Sequence, residues 1–173
     1  SANNSETALF GPYADLRHDL SGGFNLSGVN LSYAKISNLR YANLQYVNLS
    51  NAYLPGADLR NANLQFAEMN YAYAYQIYFT DSDLSNADLE WADLSNANLT
   101  GADLRWTDLR NADLSVADLS GADLFGASAS SLLGCPAQLP SQWQCLGGAL
   151  IGPYANLGWV ELRGVNLIGS NLS

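Results

Sequence analysis

From Leu39 onward the chain places a large apolar side chain at every fifth position: Leu44, Leu49, Leu54, Leu59, Leu64 and Met69, then Phe79, Leu84, Leu89, Leu94, Leu99, Leu104, Leu109, Leu114, Leu119 and Leu124. Only Ala74 interrupts that column. Two residues before each of these stands a small residue, usually alanine, as at Ala42, Ala52, Ala57, Ala62, Ala87, Ala92, Ala97 and Ala102. Asn or Asp separates the two. A five-residue beat matches neither the 3.6-residue period of a helix nor the strict alternation of a long strand, so every unit must contain a bend. In A-(N/D)-L the first and third side chains share one face and the middle one opposes it, as a short extended step requires. The pairs that follow, such as "SN", "TG", "RN" and "SG", carry turn chemistry. Alternating step and corner wind the chain into a solenoid with Ala and Leu inside and Asn or Asp outside.

Tandem A-(N/D)-L-x-x resembles the pentapeptide-repeat family, and the resemblance implies an all-β fold, a right-handed quadrilateral β-helix with four repeats per coil. Regular repeats cover Leu39 to Leu124, with looser ones at Leu16, Leu26, Leu31 and Ile36 and a last set at Leu157, Leu162, Leu167 and Leu172. The expected organisation is one solenoid over residues 1–173, interrupted by a loop or hairpin at 128–150. Residues twenty apart then form vertical columns.

The stretch "MNYAYAYQIYFT" keeps that phase, because Met69 and Phe79 are two units apart and Ala74 holds the slot between them. Ala74 is too small for its column and Ile77 too large for the alanine column, so the excess of one offsets the deficit of the other in a close-packed interior. The tyrosines face outward. Tyr73 and Tyr78 take the Asn/Asp slot, Tyr71 and Tyr75 take corners, Tyr53 lies one coil below Tyr73, and Tyr71 shares a column with Trp91. A further corner column holds Tyr46, Phe66, Asn86 and Trp106. Two readings follow. Stacked rings can cover corners and hold register, or Tyr53, Tyr71, Tyr73, Tyr75, Tyr78 and Trp91 can form an interaction patch for a protein or a sugar.

Charge is uneven along the chain. The net charge is −9, from 16 acidic and 7 basic residues, which argues against direct binding of a nucleic-acid backbone. Nearly all of it lies between Asp81 and Asp123, where only Arg105 and Arg110 oppose ten carboxylates. Asp83, Asp88, Asp103, Asp108 and Asp123 are expected on an acidic face. Solubility alone accounts for such a face, since repulsion between carboxylates one strand spacing apart in water is only ~0.9 kcal/mol per pair. The family resemblance adds a rival: acidic rods of this kind resemble duplex DNA, and the fluoroquinolone-resistance branch is thought to protect DNA gyrase in that way. This chain lacks that branch's Cys- and Phe-rich repeats and shows no evident C-terminal dimerisation helix.

The segment "SASSLLGCPAQLPSQWQCLGGALIGPYANL" breaks the repeat, and its prolines and glycines place it off the rod as a loop or short hairpin. Cys135 and Cys145 are the two cysteines of the chain. They either close a small ring or remain two free thiols, and with the lone His18 they cannot complete a four-ligand zinc site. "LPSQW" followed by "ALIGPYANL" resembles the loop that interrupts repeats in cyanobacterial and thylakoid-lumen pentapeptide proteins. The loop is otherwise poorly cored and gains most from a clip, which favours a bridged Cys135–Cys145 pair over free thiols; the resemblance implies a periplasmic, lumenal or extracellular location, against the cytoplasmic alternative. The echo of "LIGPYANL" in "LFGPYADL" suggests a similar loop before Leu9 and a longer parent chain. The opening without Met leaves room for a removed leader, and the close on "IGSNLS" in full repeat suggests continuation or end-to-end self-association.

Catalytic chemistry finds little foothold. Asp15, His18 and Asp19 in "ADLRHDL" are the nearest approach to a constellation, and a phase slip in the first coil accounts for them better. No cofactor, metal or membrane span is expected: the longest apolar stretches, such as "GGALIG", fall far short of a bilayer. The expected function is a noncatalytic scaffold or protein-interaction module with another protein as partner. Gyrase mimicry and carbohydrate binding stand as alternatives.

Overall fold

The computed structural model describes residues 10–158. The backbone climbs as a parallel ladder in which residues twenty apart bridge in four columns. Face 1 carries Asn43, Asn63, Asp83, Asp103 and Asp123, and face 2 carries Asn48, Glu68, Asp88, Asp108 and Ser128. Face 3 carries Lys35, Tyr53, Tyr73, Asp93 and Asp113, and face 4 carries Asn38, Asp58, Tyr78, Asn98 and Asp118. One coil is therefore four pentapeptides, one per face, and the molecule is a right-handed quadrilateral β-helix.

Each unit is built the same way. The Asp83 N–H donates to the Ala62 carbonyl one coil below at 3.0 Å, and the Leu84 N–H donates to the Asp103 carbonyl one coil above at 2.8 Å. The Ala87 N–H then closes back on the Leu84 carbonyl at 3.0 Å, which makes the corner a four-residue turn. Asn86, the residue before that alanine, has φ of 60°. Positive φ at the third turn position alone is the type II arrangement, and the same left-handed value recurs at every regular corner, including Tyr46, Phe66, Tyr71, Trp91 and Trp106. Asn suits that conformation because its short polar side chain bonds locally, whereas a bulky ring there carries a cost of ~1–2 kcal/mol.

Inside, the Leu and Ala columns are buried from Leu16 to Ala129. Ala74, Ile77 and Phe79 all have 0% exposure, so the inward columns run on through "MNYAYAYQIYFT". Where Ser82 and Thr107 replace the inward alanine their hydroxyls donate to backbone carbonyls, Phe79 at 2.7 Å and Leu84 at 2.9 Å. These two buried hydroxyls are thus paired, as burial demands.

The phase slip is real and has two parts. Strand β1 (Asp15–Asp19) pairs in parallel with β2 (Lys35–Asn38), matching Leu16 to Ile36 but Asp19 to Asn38. Arg17 and His18 bulge out of β1 opposite a single residue of β2. Ile36 and Leu39 are both buried only three positions apart, because β2 rounds the corner between faces 3 and 4 without a turn pair. The coil above Lys35 returns to the column at Tyr53 after eighteen residues instead of twenty.

The segment expected to stand off the rod at 128–150 stays in the ladder for nearly its first half. Gly134 bridges Asp113 and Gln138 bridges Asp118. Only then does the chain form an antiparallel hairpin, β3 (Gln144–Leu146) with β4 (Ala149–Ile151), before Asn156 returns to the column at Ser128. Strand β4 is buried throughout, and the Leu150 N–H donates to the Ala129 carbonyl at 3.0 Å, so the hairpin packs onto the last regular coil. The expected units at Leu162, Leu167 and Leu172, the closing "IGSNLS" and the region before Leu9 lie outside the described residues.

Candidate interaction surfaces

The Asn/Asp slot has a structural duty. At eighteen described positions, including Asn48, Asn63, Asp83, Asp93, Asn98 and Asp118, the side-chain Oδ1 accepts the backbone N–H two residues on, at 2.8–3.2 Å. This Asx arrangement holds the entry to each corner. The carboxylates that make the protein acidic are therefore turn residues before they are surface charges.

Asp83, Asp103 and Asp123 lie on face 1, and Asp88 and Asp108 on face 2. Most of them have side-chain partners from neighbouring units or an adjacent arginine. The Asp83 Oδ2 accepts from Gln65 Nε2 at 2.6 Å and the Asp88 Oδ2 from Asn70 Nδ2 at 3.1 Å. Arg105 pairs with Asp103 and reaches to 3.8 Å from Asp123, while Arg110 pairs with Asp108 and reaches to 3.9 Å from Glu90. Burial alone would raise the Asp103 and Asp108 carboxyls, but hydrogen bonds from the neighbouring guanidinium and backbone N–H, with its positive charge, lower both overall. The expected acidic face is thus a partly neutralised strip on two sides of the rod. Asp93 and Asp113 on face 3 and Asp118 on face 4 have no ion pair to a described cation.

The aromatic residues divide into two kinds. At the left-handed corners, Tyr46 stacks on Phe66 with centroids 5.0 Å apart and planes 4° apart, Tyr71 on Trp91 at 6.3 Å and 1°, and Tyr13 on Tyr33 at 4.9 Å and 10°. Rings stacked along the rod cover one another's faces, offset their backbone cost and hold coils in register. Tyr53, Tyr73 and Tyr78 are different, because they replace the Asx residue and offer no short acceptor to the turn. Tyr53 gives up nothing in doing so, since the residue two positions on is Pro55, which has no N–H. Tyr53 stacks on Tyr73 at 5.3 Å, and the Arg60 guanidinium lies 5.8 Å from the Tyr78 ring centroid.

The six nominated aromatics form one belt. Tyr71 and Trp91 flank face 3 at its corner with face 2, Tyr53 and Tyr73 run up its middle, the half-buried Tyr75 follows at the corner with face 4, and Tyr78 stands on face 4 itself. Sequence reasoning missed the neighbours of this belt, Tyr33, Lys35 and Arg60, and the left-handed backbone beneath its corner rings. The spacing of Lys35 and Tyr53 hides their adjacency, because they are eighteen residues apart.

Cys135 and Cys145 form a disulfide with Cα atoms 5.9 Å apart. It ties the last ladder residues to β3. Among the described residues no cluster of His, Cys, Asp or Glu could hold a metal ion, and no helix is long and apolar enough to cross a membrane.

Comparison with known proteins places this geometry in a family. The family described as pentapeptide repeats matches in eight copies over residues 37–72, 75–111 and 102–131. Solved structures similar to the chain include a pentapeptide repeat protein from the Arabidopsis thaliana thylakoid lumen, 26% identical, with 65% of this chain and 70% of that one covered and a TM-score of 0.43. HetL, a pentapeptide repeat protein involved in heterocyst differentiation regulation in the cyanobacterium Nostoc, is 27% identical, with 68% of this chain and 63% of that one covered and a TM-score of 0.34. Trypsin-treated QnrB1, a plasmid-mediated fluoroquinolone resistance protein, is 19% identical over 92% of this chain and 87% of its own, with a TM-score of 0.40. No curated protein matches. With the repeat matched over more than half of its length and its coils stacked in register, the chain belongs to the pentapeptide repeat family.

Proposed function

We propose that this β-helix is a noncatalytic binding module that holds another protein against the tyrosine belt of faces 3 and 4. The observation that carries this reading is the replacement of the Asx residue by Tyr53, Tyr73 and Tyr78 on adjoining faces. These rings do no turn duty, and they remain 42–48% exposed. Tyrosine is enriched among residues that dominate protein interfaces, because it supplies contact area and a hydroxyl with little rotamer entropy. The acidic columns support a DNA-mimicking role less well, since their carboxylates serve the corners and two arginines sit among them. Carbohydrate binding is disfavoured by the stacking, which covers the ring faces that a sugar would use. The disulfide supports an oxidising location such as a periplasm, a thylakoid lumen or the extracellular space.

The test separates the two surfaces. The chain carrying Tyr53→Ser, Tyr73→Ser and Tyr78→Ser should lose capture of its protein partner from an extract of the source organism, while Asp83→Asn, Asp88→Asn, Asp103→Asn and Asp108→Asn together should not. Potent inhibition of gyrase supercoiling by the parent chain, abolished by the four Asn changes, would transfer the site to faces 1 and 2.

A further inference from the structure

Resting on that reading and naming a partner for the same belt, we propose that face 3 pairs with face 3 of a second copy of this chain, the two rods antiparallel about a two-fold axis perpendicular to them. The column on this face reads, from bottom to top, Lys35, Tyr53, Tyr73, Asp93. A two-fold axis midway between the tyrosines turns that order onto its own complement. Tyr53 then meets the second copy's Tyr73, and Lys35 meets the second copy's Asp93, each contact occurring twice as isologous symmetry requires.

The flanking corner obeys the same operation. Its column holds Tyr33, Asn51, Tyr71 and Trp91 at the same four levels, so Tyr33 would lie against Trp91 and Asn51 against Tyr71. The ion pair is available on both sides. Lys35 is exposed and makes no ion pair with a described carboxylate. Asp93 uses its Oδ1 for the Ser95 N–H at 3.0 Å and the Ser95 hydroxyl, leaving Oδ2 for a partner. One level further out, the Asp15–Arg17 pair, neutral in sum, meets Asp113. No other face has this order: faces 1 and 2 carry acidic residues and amides below and mixed charges above, and face 4 has Asp58 beneath Tyr78.

The contact is small. Five ladder steps of ~4.8 Å give a length of ~24 Å, and one face of that length buries well under the ~800 Å² per partner of a standard interface, so the dimer should form at a Kd on the order of 100 µM.

Sedimentation equilibrium of the full chain from ~5 to ~500 µM tests the pairing. The parent should dimerise, and less so in high salt. Lys35→Glu alone and Asp93→Lys alone should each weaken dimerisation about tenfold, because each creates two like-charge contacts. Asp93→Lys gives up the two Ser95 hydrogen bonds, as Tyr73 does without an acceptor in the same slot of this column, and unchanged circular dichroism checks that the fold is kept. An equimolar mixture of the two variants should recover association to within about threefold of the parent, since every contact in the mixed pair is again Lys or Glu against its opposite. A parent that stays monomeric, variants that associate like the parent, or a mixture that stays monomeric would each overturn the proposal. A monomeric parent whose capture of a foreign protein still depends on the tyrosines would leave the binding-module reading standing without self-pairing. A charge-dependent dimer with tyrosine-independent capture would leave the self-pairing and remove foreign binding at the belt.

Discussion

Asp83 offers the sharpest test of whether the acidic columns are turn machinery or a docking surface. Its carboxylate accepts three hydrogen bonds: the Ser85 N–H at 3.0 Å, the Ser85 hydroxyl at 2.7 Å and Gln65 Nε2 at 2.6 Å. Asp83→Asn keeps an oxygen for both Ser85 donors and loses only the Gln65 contact, because Gln65 Oε1 accepts from Gln45 Nε2 at 2.7 Å and so holds Nε2, a donor, toward position 83. Asp83→Ala loses all three. At ~1 kcal/mol per net hydrogen bond the two variants should differ by about 2 kcal/mol. For a domain of this size that separates their Tm values by roughly 4–8 °C. Thermal melts followed by circular dichroism read the shift, and hydrogen exchange at the Ser85 amide should quicken in the Ala variant alone, which localises the effect even where coil-by-coil melting blurs a single Tm. Ala and Asn variants that melt within about 1 °C of each other would show that the Asx bonds contribute nothing, and the assignment of these carboxylates to the corners would fall.

Three further outcomes are expected. Asn96, at φ of 58°, should tolerate Gly with little change, whereas Asn96→Val should cost ~1–2 kcal/mol because a β-branched residue resists that conformation; equal melts would contradict a left-handed corner. Ala74→Leu alone should overpack and destabilise by ~1–3 kcal/mol, and adding Ile77→Ala should recover part of that loss; strict additivity in the double-mutant cycle would mean the two side chains do not share a space. Acid should loosen the rod below about pH 4: the Arg17 hydrogen bonds bring the Asp15 carboxyl to about 2, and the Arg60 hydrogen bonds hold Asp58 below the ordinary value of 3.8. Carboxyls lowered on folding contribute stability that is present above their unfolded value and is lost as pH falls through the folded one. The Tm should therefore decline between pH ~4 and ~2, and a flat profile there would refute the pairing.

The sequence by itself determined the solenoid, its five-residue unit, the inward columns of Leu and Ala and the continuity of phase through "MNYAYAYQIYFT". The reason is that a repeat this short leaves only local choices: which side chain points in, and where the chain bends. It also brought Tyr53, Tyr71, Tyr73, Tyr75, Tyr78 and Trp91 close together, because columns follow from counting by twenty. Counting fails where the chain departs from the beat. At Ile36 to Leu39 a strand rounds the corner without a turn, and only the stacked coils show that Lys35 lies beneath Tyr53. After Ala129 the ladder continues through Gly134 and Gln138 before the hairpin leaves it, a path fixed by backbone bonds to the coil below and by the packing of β4 on the last regular coil. Composition also treats all the carboxylates alike, whereas they differ in space: Asp103 and Asp108 lie beside arginines, while Asp93 and Asp113 do not. Local periodicity thus specifies what each residue does within its own unit. Which residues of different units face one another depends on the length of every coil between them, and that is settled only when the coils stack.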